Sequence, residues 1–118
     1  MVEATIRRKQ LLEAALGSRT LTNVDAREIT LEPGQIGGRH LHPCPVVGYI
    51  LSGVAIYQKE GEQEQLLPAG TAFYEPANVV VAQFGNASSK EELRFLAFYL
   101  LEGKQDLITM LEPQQGAQ

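Results

Sequence analysis

The chain contains two histidines, His40 and His42, separated by a single residue within GQIGGRHLHPCPVVGYILSG, residues 34–53. Imidazole is the commonest metal-binding side chain, and two rings this close can share one ion. On an extended strand, residues i and i+2 face the same side. The pair therefore points either into the interior or away from it. The alternative to a metal site is a pair of exposed or hydrogen-bonded rings on a strand edge. Cys44 continues the parity of the histidines and would add a thiolate suited to zinc or copper(I). Pro43 and Pro45 flank it and interrupt the strand, so a buried, inert thiol is the competing reading.

The elements that would hold these residues are mostly short strands. Arg7 to Leu16 is rich in helix formers and is followed by Gly17, which predicts a short N-terminal helix. After Asn23, β-prone runs alternate with turn signals. Glu28–Leu31 leads into EPGQIGG, Val46–Leu51 into Ser52-Gly53, and Val54–Tyr57 into KEGEQ. TAFYE ends at Pro76-Ala77-Asn78, and VVVAQF ends at Gly85-Asn86. Leu93 to Leu101 is the longest apolar run, and its Phe and Tyr content reads as a buried strand. This spacing predicts an all-β sandwich or barrel. The expected organisation is an N-terminal helical or extended segment over 1–23, a β-barrel domain over 24–103, and a C-terminal helical turn with a loose tail over 104–118.

Composition narrows the function classes. The chain has 118 residues, of which 44% are hydrophobic and 20% charged, with a formal net charge of -4. That is the profile of one ordinary globular domain. No basic patch with interleaved aromatics favours nucleic acid. No stretch approaches the roughly 20 apolar residues that span a bilayer. The N-terminal stretch makes a poor signal peptide, because Glu13 divides it. A single cysteine fits a reducing compartment. The expectation is a cytoplasmic protein without nucleic-acid or membrane partners.

Gly34, five residues, His40-Leu-His42, and then VVGYILSG ending at Gly53 resemble the first conserved motif of the cupin superfamily. LPAGTAFYEPANVVVAQFGN resembles the second, with Pro68, Gly70, Pro76 and Asn86 in place. The resemblance covers about residues 24–101 and is strongest to small single-domain cupins reading His-x-His-Pro. It implies a double-stranded β-helix, a jelly-roll barrel whose mouth holds the ligand or metal. It also implies four metal donors, two of which differ here. Val46 stands where the family has a Glu, and Val81 where it has its third His.

On that resemblance His40 and His42 are the retained donors. Glu75 lies near the barrel mouth and is the candidate third. A two-histidine, one-carboxylate set suits iron, manganese or zinc. As a rim residue, Glu75 would instead bond a neighbouring Arg or a backbone amide. Val46 and Val81, at the two exchanged donor positions, and Gln83, which shares parity with Val81, are expected to line the pocket. Arg39 has the opposite parity and belongs on the other face.

Two functions compete. One is a small metalloenzyme of oxidase, dioxygenase, isomerase or lyase type, using zinc, manganese, iron or nickel on a small organic molecule. The other is a metal-free, small-ligand-binding or sensing barrel with a degenerate site. A purely structural module, with the histidines as relics, is a third. Exposed sheet faces and edges further predict a homodimer.

Overall fold

The computed structural model describes residues 4–112, and all ten strands are antiparallel to their partners. They are β1 (Asn23–Leu31), β2 (Ile36–Gly37), β3 (His40–Leu41), β4 (Val46–Ser52), β5 (Val54–Lys59), β6 (Gln65–Pro68), β7 (Ala72–Glu75), β8 (Val81–Asn86), β9 (Leu93–Leu101) and β10 (Thr109–Met110). One sheet runs β1-β9-β4-β7. The other runs β10-β3-β8-β5-β6, with β2 added to β8. Strands close in sequence thus fall alternately in the two sheets, giving the jelly-roll expected from the motif skeleton.

Alternation along the strands builds the core. In β9, burial switches at every residue from Arg94 onward, so Phe95, Ala97, Tyr99 and Leu101 face inward. Phe84 stacks between Phe73 and Phe95, with ring centroids 5.1 and 4.9 Å away. Gly48 is required beneath Phe73, because a Cβ there would stand 2.0 Å from the ring. The buried Asn86 ties the loops around this core. Its amide donates to the carbonyls of Glu32 (3.0 Å) and Glu91 (2.6 Å), and its Oδ1 accepts from the Ser88 amide (2.9 Å). Asn86→Ala strands those partners and is expected to destabilise the protein by about 2–4 kcal/mol, read from urea unfolding.

The N-terminal segment departs from expectation. Among the described residues there is no helix, and residues 4–22 run as irregular chain. Leu12, Ala14 and Leu16 alternate with exposed neighbours and lie against Val47, Tyr49, Phe98 and Leu100 on the outer face of the first sheet. An isolated helix of about ten residues is marginal in water. An apolar sheet face rewards a two-residue period instead, and tertiary contact overrides propensity.

The C-terminal helical turn is also replaced. Thr109 and Met110 pair with Leu41 and His40 as β10. The tail beyond Glu112 lies outside the described residues.

Candidate metal centre

β3 is two residues long and held on both edges. His40 pairs with Met110 on one side and with Val81 of β8 on the other. His42 follows the strand, its carbonyl accepting from the Asn78 amide at 2.8 Å. Asn78 adopts φ 62, a left-handed turn conformation that asparagine tolerates. The Pro76-Ala77-Asn78 turn therefore fixes both the end of β7, where Glu75 sits, and the backbone of His42.

Both imidazoles are oriented by backbone. His40 Nδ1 donates to the Gly38 carbonyl at 2.8 Å, and His42 Nδ1 donates to the Leu107 carbonyl at 2.7 Å. A carbonyl oxygen only accepts, so each ring carries its proton on Nδ1 and leaves the Nε2 lone pair toward the interior. Glu75 comes from the facing sheet. Its Oε1 lies 3.6 Å from His40 Nε2 and its Oε2 lies 3.4 Å from His42 Nε2. The three residues are 6%, 4% and 6% exposed. Their ligating atoms all lie within 4.8 Å of one another.

Three lone-pair donors facing one another in a buried space require a positive charge between them. Glu75 Oε1 has no hydrogen-bond partner at all. A proton on His42 is one remedy. Burial alone would push that ring's pKa down, but the Glu75 carboxylate outweighs it and holds His42 above its ordinary 6.5. Likewise burial pushes the Glu75 carboxyl up, and its contacts with His40 and His42 overcome this and hold it below the ordinary 4.5.

A divalent cation is the other remedy. Donors about 2.1 Å from a tetrahedral zinc stand about 3.4 Å from one another. The two carboxylate oxygens stand at 3.6 and 3.4 Å from one imidazole each, close to that edge, and the whole set lies within 4.8 Å. The carbonyls on the Nδ1 side are the partners that metal-bound imidazoles ordinarily have. The donor set fits a metal.

The other residues singled out from sequence fall as follows. Val46 pairs directly across the ladder with Glu75. Directly opposed residues share a face, so the carboxylate stands one strand over from the position the resemblance assigned to it. Val81 pairs with His40 and is buried in the core. Neither valine lines the cavity at the triad.

Gln83 is a correction. The ladder shifts between Gln58 and Lys59, which pair with Gln83 and Val81, so Ala82 is an extra residue in β8. This bulge reverses the parity beyond it. Gln83 turns away to donate to Gln58 (2.9 Å) and Glu64 (3.0 Å), and Phe84 takes the inward place. Cys44 is fully buried outside the triad, and burial pushes its thiol pKa up. Arg39 points away, paired with Glu60 at 2.8 Å.

Sequence reasoning missed the C-terminal segment. Leu107 supplies the carbonyl for His42, and Ile108 and Met110 close one side of the cavity. The β-prone letters of LITM were the available signal. The cavity measures about 190 Å³ and is apolar apart from the triad and the Tyr99 ring, whose centroid is 5.8 Å from that of His42.

Comparison with known proteins places the fold. The family profile described as Cupin domain matches residues 27–99. A cupin-like protein of Thermotoga maritima shares 25% identity at a TM-score of 0.68, over 77% of this chain and 66% of that one. A conserved Klebsiella pneumoniae protein with a double-stranded β-helix domain gives 22% identity and 0.64, over 79% of each chain. The DMSP lyase DddQ of Ruegeria pomeroyi gives 18% identity and 0.66, over 77% of this chain but 44% of its own length. No curated protein matches the chain.

Proposed function

The chain belongs to the Cupin domain family, and from that premise we propose that it binds one divalent metal ion through His40, His42 and Glu75 and uses it to bind a small organic molecule. The supporting observation is the inward-facing set of two Nε2 lone pairs and a buried carboxylate whose Oε1 has no partner. A bound ion there supplies a Lewis acid that polarises an oxygen of the ligand. The protein's own contribution is orientation. The Gly38 and Leu107 carbonyls fix the tautomers, Glu75 would neutralise half the ion's charge, and the walls around the triad are apolar. Zinc, manganese, iron and nickel all suit two imidazoles and one carboxylate. Elemental analysis of protein purified without a histidine tag tests this. About one equivalent of a divalent metal per chain is expected, and none after dialysis against a chelator.

The valines at 46 and 81 favour a second reading, a metal-free barrel that carries or senses an apolar ligand. It predicts a ligand without any metal in the same preparation.

A homodimer is part of the proposal. β1 forms one end of its sheet, with nothing hydrogen-bonded to its outer edge among the described residues, and Val24 on it is 60% exposed. Ile6 and Leu11 of the N-terminal segment are likewise uncovered. Pairing two copies would cover both features. Light scattering should give about twice the 12.9 kDa of one chain at micromolar concentration, and the monomer mass would contradict it.

A further inference from the structure

The cavity at the triad limits what could reach the metal, and this inference rests on the metal reading above. A dry cavity of about 150 Å³ lined by Leu, Ile and Phe holds one benzene. At about 190 Å³ this one admits a molecule slightly larger. Its walls are Ile29 and Leu31 from β1, Phe84 from β8, Phe95 from β9, and Ile108 and Met110 from the C-terminal segment. They offer nothing to the hydroxyls of a sugar-like ligand, whose burial without partners would cost several kcal/mol.

Charge narrows the class further. No Lys or Arg is among the lining residues, and the nearby Arg39 is tied to Glu60. A divalent ion with the Glu75 carboxylate and two neutral imidazoles carries one net positive charge. One negative charge on the ligand cancels it. A second would be buried without a counter-charge, which is strongly unfavourable.

We propose that the site takes small apolar monoanions. A single carboxylate or phenolate oxygen would bind the ion that the three donors hold, and a hydrocarbon body of about benzene size would fill the space against Phe84, Phe95 and Leu31. Dianions and polyols are excluded by the same walls.

Calorimetric titration of the zinc-loaded, tag-free protein tests this with benzoate, its neutral analogue benzyl alcohol, and the dianion succinate. Benzoate should bind at least tenfold more tightly than either. Ile108 is 44% exposed at the rim, so Ile108→Asp should fold and keep its zinc. Its new charge should weaken benzoate at least tenfold. Met110→Glu, at the more exposed neighbouring wall, should do the same. Zinc bound at one equivalent with benzoate no tighter than benzyl alcohol, or succinate as tight as benzoate, would overturn the ligand class alone. Benzoate affinity unchanged in both rim variants would place the ligand outside the cavity and also overturn it. Failure to take up zinc would overturn the metal reading, and this inference with it.

Discussion

Glu75→Ala is expected to weaken zinc binding at least a hundredfold while leaving the barrel folded. Losing a mere supporting partner of a metal ligand costs about 10–100-fold in affinity. Here the lost group is one of three donors and the one negative charge among them. The fold should tolerate the change, because the backbone at Glu75 keeps its place opposite Val46 on the ladder and the imidazoles its carboxylate contacts are also held by the Gly38 and Leu107 carbonyls. Calorimetry with zinc measures the affinity, and an unchanged value would place the ion elsewhere.

The same substitution should also reverse the contribution of His42 to the pH dependence of the metal-free protein. His42 is held above its ordinary 6.5 in the fold, so its contribution is fully present below about pH 6.5. That contribution is lost as pH rises through the raised value. Glu75 is held below its ordinary 4.5, so its contribution is present above that pH and is lost as pH falls through the lowered value. The metal-free protein should therefore melt highest between about pH 4.5 and 6.5 as far as these two groups decide it. Zinc competes with the proton on His42, so the gain in melting temperature from added zinc should grow with pH. Glu75→Ala removes the partner of His42 and leaves burial to push that ring's pKa down, so the metal-free variant should lose stability as pH falls below about 6.5.

Val81→His is expected to have the opposite effect and tighten zinc binding about tenfold or more. Val81 pairs with His40 on the adjacent strand. Opposed residues share a face, with Cβ atoms roughly 5 Å apart, so an imidazole there can join His40 at the ion. Four protein donors are what closed zinc sites ordinarily have. The cost falls on the metal-free state. Val81 is fully buried, and a larger polar ring in its place should cost about 1–3 kcal/mol without metal. The variant should thus melt below the parent without zinc and gain more from it. Equal affinity in parent and variant would mean that the ion does not sit beside β3.

The skeleton of this fold is written in local chemistry, and that part was legible. Pro76-Ala77-Asn78 turns where it must, with Asn78 left-handed, and Asn86 ties loops as a buried amide should. The histidine pair was legible because a two-residue spacing fixes a shared face. The site's third member depended on register. Val46 and Glu75 are far apart in sequence and meet only once β4 and β7 are paired, so the loss of one carboxylate and the presence of the other read as separate facts. Gln83 was misplaced because one extra residue, Ala82, flips the parity of β8 without any glycine or proline to announce it. Arg7 to Leu16 carries helix propensity, and the apolar outer face of the first sheet decided against it. Leu107 contributes through its backbone carbonyl, which no side-chain pattern encodes.

The most direct measurement is anomalous diffraction from a crystal of the tag-free protein soaked in zinc. The expected result is one strong peak between the sheets, about 2.0–2.2 Å from His40 Nε2, His42 Nε2 and a Glu75 carboxylate oxygen. A fully occupied zinc elsewhere, with Glu75 still facing the two imidazoles unbridged, would contradict the account.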